Sequence, residues 1–180
     1  MPPVKMVATA DVAVDQPSFR VPESATRDSG TRRSIDSGKS RRIVLVSCAA
    51  KKAQHKAQAQ DLYASPLFRR ALAYARLLRS DHVYILSAKH GLLDLTTEIE
   101  PYDLTLKDMS SNDVRAWADR VLSQLAQKTN LGSDTFIFLA GDAYRRFIVP
   151  KLAHWEAPLV GLPIGKQLQR LIELLNDRRL

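Results

Sequence analysis

Four short runs of consecutive apolar residues recur along the chain after residue 42. They are Ile43–Val46, Val83–Leu86, Phe136–Leu139 and a weaker run, Pro158–Val160. Apolar side chains at consecutive positions are typical of strands that are covered on both faces. The pattern therefore predicts four strands that lie inside a sheet.

Helical periodicity separates these runs. A Ser-Pro pair at residues 65 and 66 predicts a capped helix start, and a second helix is predicted to begin near Ser110 or Ser111. Two more helices are predicted over Asp142–Leu152 and Lys166–Asn176. Strands that alternate with helices predict a single three-layer α/β domain, with a mostly parallel central sheet and helices on both faces. Ligands of such sheets bind beyond the carboxyl ends of the strands.

Residues 1–40 show neither pattern. They are rich in Pro, Ser, Thr, Asp and Arg, and their few apolar residues are scattered. Such a composition buries too little apolar surface to offset the entropy of ordering the chain. The sequence therefore predicts a disordered basic and polar tail over residues 1–40 and the α/β domain over residues 41–180.

The net charge of the chain bears on the kind of partner that it binds. The 180 residues include 27 Lys and Arg against 19 Asp and Glu, a formal net charge of +8. Basic side chains that neutralise phosphates release condensed counterions, so this excess suits a nucleic acid. A basic protein that is merely kept soluble by its charge is the alternative.

Cys48 is the single cysteine of the chain, so no internal disulfide forms and a reducing compartment is expected. No apolar run approaches the roughly 20 residues that a membrane span needs. The histidines and the cysteine lack the close spacing of a zinc site, and neither the Walker phosphate loop nor the dinucleotide fingerprint occurs. The sequence thus predicts a cytoplasmic protein with no membrane partner, no metal and no cofactor.

Polar side chains follow the first predicted strand, where a ligand would bind. The candidates are Ser47, Cys48, Lys51, Lys52, Tyr63 and Ser65. The two lysines are predicted to bind phosphate, with a solvated basic loop as the alternative. The other four are predicted to line a pocket for a base, in which Cys48 is a wall residue rather than a nucleophile.

Lys89 and His90 follow the second predicted strand. Lys89 is predicted to bind phosphate, and His90 to transfer a proton or to stabilise developing charge. Further along, Tyr102 offers an aromatic face for stacking and Asp103 a carboxylate that activates water. The alternatives are a structural histidine and a capping aspartate.

The last two predicted strands are followed by glycine-containing loops with charged residues. Gly141 lets a helix begin against the strand end, so that its free N–H groups face the ligand. Asp142 is predicted to be a reserve catalytic carboxylate, with a helix cap as the alternative. Arg145 and Lys166 are predicted to contact phosphate.

Five motifs add a family signal: residues 46–52, residues 62–65, residues 86–93, residues 101–103 and residues 139–142. Together they resemble a family of small bacterial proteins related to YaaA, a DNA-binding peroxide-stress protein, and the resemblance covers nearly everything after Arg42. The first motif is also similar to the α/β domain of archaeosine synthase, although Ala53 replaces the proline of its run. The turn at residues 138–143 more distantly resembles uracil-DNA-glycosylase-like folds, whose early water-activating motif is absent here.

Three functions are open on these grounds. The first is a base-processing enzyme, a DNA glycosylase that hydrolyses the N-glycosidic bond of a modified base; were that base a phage hypermodification, the protein would serve phage defence. The second is a non-catalytic DNA-binding stress protein, as the YaaA resemblance implies. The third is a transferase that modifies a deazaguanine or another nucleobase. Acidic and basic groups at one sheet edge favour the first, with DNA preferred to RNA as partner.

Overall fold

The structure, a computed structural model, describes residues 39–177. The predicted tail lies outside the described residues apart from Lys39 and Ser40. The described residues form seven strands: β1 (Arg42–Ser47), β2 (Ala57–Gln58), β3 (His82–Ser87), β4 (Gly91–Asp94), β5 (Glu98–Ile99), β6 (Thr135–Leu139) and β7 (His154–Glu156).

The main sheet has five strands in the order β4-β3-β1-β6-β7, and β2 pairs with β5 beside it. β1 lies parallel to both β3 and β6, and β6 lies parallel to β7. β4 returns antiparallel to β3. In β1 the four residues of the first apolar run are fully buried, as expected for a strand covered on both faces. The first three predicted strands are therefore confirmed.

Helices cover both faces of this sheet, which confirms the predicted architecture. The described helices are α1 (Ala59–Leu62), α2 (Pro66–Leu77), α3 (Ser111–Lys128), α4 (Asp142–Arg145) and α5 (Ile164–Asp177), with short 3-10 turns at Leu106–Asp108 and Val149–Lys151. One core cluster joins one face of the sheet to α1, α2 and α5, and a second joins the other face to α3. The side chains of β1 alternate between the two clusters, because successive side chains of a strand point to opposite faces.

Helices α2 and α3 begin where the sequence predicts. The Ser65 hydroxyl accepts a hydrogen bond from the Phe68 N–H at 3.1 Å and caps α2, with Pro66 at the first helical position. Ser110 and Asp113 form a capping box at the start of α3, each side chain accepting from the other residue's backbone N–H. The last predicted helix is confirmed as α5.

Two predictions in the second half of the chain are wrong. Pro158–Val160 forms a turn rather than a strand, because proline has no N–H to donate to a ladder. The fourth parallel strand is instead β7, a three-residue edge strand whose residues are all exposed, so no apolar run marks it. The helix predicted over Asp142–Leu152 stops after Arg145, and a separate 3-10 turn follows at Val149–Lys151, because Pro150 has no N–H to donate and its ring clashes with the carbonyl four residues before it.

A buried carboxylate joins the starts of β1 and β6. The Asp134 side chain is 2% exposed and accepts hydrogen bonds from the backbone N–H groups of Arg41 at 3.0 Å and Asn130 at 2.8 Å. The guanidinium of Arg41 donates to it as well, at 2.8 Å in the shortest contact. These contacts lie at the amino ends of the strands, opposite the edge at which a ligand is expected.

Within residues 39–177, no helix is both long enough and apolar enough to cross a membrane.

Candidate functional site

The carboxyl ends of β1, β3 and β6 meet at one edge of the sheet because these neighbouring strands are parallel. From β1 the chain continues to α2 on one face, whereas from β3 it reaches α3 on the other. The helices that follow these two adjacent strands thus lie on opposite faces, and ligands of such sheets bind beyond the strand ends between them. Six side chains gather there, and we call them the strand-end cluster: Lys52, Tyr63, Ser87, Lys89, His90 and Tyr102.

A chain of hydroxyl groups runs through the strand-end cluster. The Tyr102 hydroxyl lies 2.9 Å from that of Tyr63 and 2.8 Å from that of Ser87. Ser87 and Tyr63 are buried, at 0% and 1% exposure, whereas Tyr102 is half-buried. Burial raises the pKa of Tyr63 to about 12 and also raises the pKa of Tyr102. Both phenols therefore keep their protons at neutral pH and remain hydrogen-bond donors.

Two ammonium groups converge on the Tyr102 ring. The Lys52 Nζ atom lies 4.2 Å from the ring centre and the Lys89 Nζ atom 5.7 Å from it, so the two nitrogens are at most 9.9 Å apart, the sum of these distances. Among the described residues, neither lysine has a carboxylate within ion-pair distance. Two unneutralised cations at one aromatic ring have the chemistry to hold an anionic ligand that carries a planar group.

His90 stands edge-on to Tyr102, with the ring centres 5.5 Å apart and the planes at 80°. Its Nε2 atom is buried and has no hydrogen-bond partner among the described residues. Burial, together with the positive charges of Lys89 and Arg120, lowers the pKa of His90. The imidazole is therefore neutral at pH 7, and its buried Nε2 atom is left without a partner within residues 39–177.

Three side chains on one face of α3 form hydrogen bonds with the backbone of the β3–β4 turn (residues 88–90) and of the residues that flank it. The Trp117 indole donates to the Ser87 carbonyl at 2.8 Å, and Arg120 donates to the Lys89 carbonyl at 3.1 Å. Gln124 accepts from the Leu92 N–H at 2.8 Å and donates to the His90 carbonyl at 3.4 Å. The turn that carries Lys89 and His90 is thus held in place before any ligand binds.

Gly91 closes this turn in a conformation that other residues rarely adopt. Its φ is +77°, and an added Cβ would run into the Gln124 Oε1 atom. We expect Gly91→Ala to lower the free energy of unfolding by about 2 kcal/mol, because it combines left-handed strain with loss of the Gln124 contacts. Urea unfolding at pH 7 measures this change.

Gly141→Ala is the matched control for this prediction. Gly141 also lies at the strand-end edge, but its φ is −68° and an added Cβ would meet nothing within 4 Å. We expect a change below about 0.5 kcal/mol there. Equal losses in the two variants would contradict the close fit between the turn and α3.

Cys48 directly follows β1, at the same edge of the sheet. Its Sγ atom lies 3.2 Å from the Tyr144 hydroxyl, and its backbone N–H donates to the Leu86 carbonyl at 2.9 Å. The Tyr144 ring packs edge-on against Trp117, with the ring centres 5.6 Å apart. Burial raises the pKa of Tyr144, so this phenol also stays protonated. These contacts hold Cys48 at the carboxyl end of β1, and its role as a pocket wall stays a prediction.

The structure brings together some of the predicted site residues and gives others local partners. Lys52, Tyr63, Lys89, His90 and Tyr102 share the strand-end cluster. Ser47 ends β1 and is half-buried, while Lys51 is exposed in the segment that follows. Ser65 caps α2, as its position before Pro66 predicts, and its place in a base pocket stays a prediction.

The predicted acidic residues lie at the surface. Asp103 is exposed directly after Tyr102 and forms no ion pair with another described residue. Asp142 begins α4 immediately after Gly141, and its Oδ1 atom pairs with Arg145 at 3.3 Å. The Arg145 Nε atom is buried without a partner among the described residues. Lys166 lies in the first turn of α5 and donates to Gln169 at 3.4 Å.

Sequence reasoning missed the residues that hold the site in place: Ser87, Trp117, Arg120, Gln124 and Tyr144. Ser87 carries a usable signal, since it ends an apolar run directly before Lys89 and His90. The three residues of α3 carry none, because their partners are backbone groups about 30 positions away in the chain.

Two shallow depressions flank the strand-end cluster. One, of about 350 Å³, is lined by Met109, Asp113, Ala116, Trp117 and Arg120. The other, of about 300 Å³, is lined by Gln60, Asp61, Tyr63, Arg69, Leu72 and Arg76. Trp117 and Tyr63 connect them to the cluster through their hydrogen bonds.

Residues 43–173 match the family model of DUF6884, a family of unknown function. The chain belongs to this family. No curated protein matches it. The match begins in β1 and ends within α5, so every residue of the strand-end cluster lies in the part shared with DUF6884. In the described part of this DUF6884 chain, no three His, Cys, Asp or Glu side chains come together as metal ligands would.

Proposed function

We propose that the strand-end cluster binds one nucleotide of a DNA strand and that the chain excises a modified base from it by hydrolysing the N-glycosidic bond. The observation that carries the proposal is the pair of unneutralised lysines, Lys52 and Lys89, at the partly exposed ring of Tyr102. A nucleotide supplies what this pair lacks, a phosphate for the ammonium groups and a planar base for the ring.

Phosphate binding and base stacking support each other in this arrangement. The Lys52 ammonium lies over the Tyr102 ring, 4.2 Å from its centre. A phosphate that draws Lys52 toward itself uncovers the ring face, and the base then stacks there. The hydroxyl of Tyr102 stays anchored by Ser87 and Tyr63, so the ring keeps its place while the lysine moves.

The chemistry then requires a group on each side of the N-glycosidic bond. His90 is neutral, and its buried Nε2 atom lacks a partner in the described part of the chain, so it can hydrogen-bond the departing base. Asp103 follows Tyr102 directly and is free of ion pairs with described residues; it stabilises the oxocarbenium-like sugar and orients the attacking water. The water adds to C1′ of the sugar and gives its proton to Asp103, while the base leaves with the bonding electron pair and takes a proton from solvent; Asp103 then returns its proton to solvent.

A second candidate function is DNA binding without catalysis. One observation favours it: no carboxylate of the described residues hydrogen-bonds within the strand-end cluster, since Asp103 is exposed and Asp142 is paired with Arg145. On this alternative, the lysines and tyrosines hold the strand, and no bond is broken.

Base release separates the two candidates. The protein is incubated with genomic DNAs that differ in base modification, including phage DNAs with hypermodified bases, and free bases and abasic sites are measured by mass spectrometry. Release of one modified base with a matching number of abasic sites supports the enzyme. Binding to the same DNAs without release supports the second candidate.

We expect Lys52→Gln and Lys89→Gln each to weaken binding to a ten-residue oligothymidylate about tenfold at low salt. Each variant removes one cation from the phosphate site, so the slope of log K against log salt should also fall by about 0.7. Fluorescence anisotropy titrations from 50 to 200 mM NaCl measure both quantities.

Lys151→Gln is the matched control for these lysines. Lys151 is exposed and precedes β7, at the opposite edge of the sheet, and removing it changes the net charge equally. We expect it to keep nearly the affinity and the salt slope of the wild type. If all three variants bound alike, the charge of the whole protein would hold the DNA, and the strand-end cluster would not be the binding site.

A further inference from the structure

Tyr63, whose hydroxyl is buried in the strand-end cluster, also borders the depression on the α2 side. Tyr63 lines this depression together with Gln60, Asp61, Arg69, Leu72 and Arg76. The same hydroxyl lies 2.9 Å from that of Tyr102, and the ammonium groups of both lysines lie near the Tyr102 ring. One hydrogen bond thus joins the nucleotide site to this second, polar surface.

Arg69 and Arg76 are two helical turns apart on α2, so their side chains leave the same face about 10 Å apart along the axis. Both are exposed, and neither pairs with a carboxylate among the described residues. α2 carries three arginines and no Asp or Glu. Nothing on the helix itself therefore neutralises this face.

The Arg76 guanidinium is also held in a defined position. It donates to the Gln60 side-chain oxygen at 2.7 Å, and the Gln60 amide nitrogen in turn donates to the Gln58 side chain at 2.7 Å. A guanidinium has five N–H donors, so the remaining donors of Arg76 stay available. An arginine oriented by a neutral amide keeps its full charge for an anion.

Asp61 sets the charge of the anion that fits. It is the single carboxylate among the six lining residues, so the two arginines leave a net side-chain charge of +1 in the depression. One phosphodiester carries one negative charge, whereas a terminal phosphate monoester carries nearly two at neutral pH. The lining therefore suits a phosphate inside a nucleic-acid strand better than one at its end.

We propose that Arg69 and Arg76 bind a backbone phosphodiester next to the nucleotide held at Lys52 and Lys89, so that the ligand of this protein is a polynucleotide strand and not a free nucleotide. This inference rests on the proposed function of the strand-end cluster. The strand runs from the depression at α2, past Tyr63 and Tyr102, to the lysines of the cluster.

Binding of two probes tests the inference: fluorescent ten-residue oligothymidylate, and thymidine monophosphate measured by calorimetry. Arg69→Gln and Arg76→Gln should each weaken oligomer binding and lower the salt slope by about 0.7, while binding of the monophosphate stays as in the wild type. Arg70→Gln is the matched control, since it removes the same charge from the same helix at a position that does not line the depression. Thermal unfolding confirms that each variant is folded.

The outcomes separate this inference from the proposed function. If Lys52→Gln and Lys89→Gln weaken oligomer binding but the Arg69 and Arg76 variants do not differ from Arg70→Gln, the proposed phosphodiester site on α2 is wrong. The proposed nucleotide site at the strand-end cluster is then retained. If the arginine variants weaken binding and the lysine variants do not, the strand contacts α2 but the proposed nucleotide site fails, and the inference built on it fails as well. Equal weakening of monophosphate and oligomer binding by Arg69→Gln would also overturn the inference, because it would place Arg69 in the nucleotide site itself.

Discussion

Replacing Asp103 by asparagine is expected to slow base release about 100-fold or more while leaving DNA binding intact. The carboxylate follows Tyr102 directly, and it is exposed and unpaired among the described residues. A positioned group that takes a proton from water typically contributes about 10²- to 10⁴-fold in rate. Single-turnover release of the modified base, measured on the DNA that the wild type cleaves, reports the rate directly.

Asp108→Asn is the control, because Asp108 is another exposed carboxylate of the same segment. We expect it to keep the wild-type rate. A fast Asp103→Asn variant would show that another group activates the water, and Asp142→Asn would then test the reserve carboxylate. Weakened DNA binding by Asp103→Asn would instead indicate that Asp103 shapes the site and does not act on the water.

Replacing Asp134 by alanine is expected to lower the free energy of unfolding by about 3 kcal/mol. The change leaves the backbone N–H groups of Arg41 and Asn130 and the Arg41 guanidinium without their shared acceptor. Removal of one partner of a buried pair costs about 3–5 kcal/mol; the lower end applies because Arg41 is 31% exposed and can turn toward water. Urea unfolding at pH 7 measures the loss.

The same carboxylate predicts how stability depends on pH. Burial alone would raise the pKa of Asp134, but the hydrogen bonds from Arg41 and Asn130 outweigh it and hold the pKa below its usual value of 3.8. A carboxyl with a lowered pKa stabilises the fold above its ordinary pKa, and this contribution is lost as the pH falls through the folded-state pKa. The difference between wild type and Asp134→Ala should therefore shrink below about pH 4.

Asp119→Ala is the control for both measurements. Asp119 is an exposed carboxylate of α3 and has no ion pair among the described residues. We expect a change within about 0.5 kcal/mol at either pH. A loss at Asp134 that stayed the same from pH 7 to pH 3 would contradict the role assigned to its charge.

The candidate site was predictable as a location and only in part as a set of contacts. The rule that ligands bind beyond the carboxyl ends of parallel strands placed Lys52, Lys89 and His90 at one edge, and the structure brings them together there. The rule says nothing about how far a side chain reaches once its strand has ended. Ser65 is accordingly predicted both to cap α2, as it does, and to line the pocket, which stays a prediction; the sequence also does not show that Asp142 pairs with Arg145.

By itself, the sequence determined which segments form strands and helices wherever the pattern is strong. Apolar residues at consecutive positions must be buried on both faces of a strand, and a capping serine satisfies the free N–H groups of a helix whatever surrounds it. These are local requirements, so they can be read from neighbouring residues. The short edge strand β7 and the helix break before Pro150 were not predicted in this way, because an exposed strand needs no apolar run and one proline outweighs a periodic pattern.

Only the tertiary structure decided which distant side chains meet. Tyr63 and Tyr102 share a hydrogen bond across 39 residues, and Trp117 reaches the Ser87 carbonyl across 30. Such contacts depend on the strand order and on the angle at which each helix crosses the sheet, and neither can be read from the identities of the residues that make the contact. The charges on Lys52 and Lys89 are visible in the sequence, but their convergence on one ring without a carboxylate to neutralise them is a property of the folded chain alone.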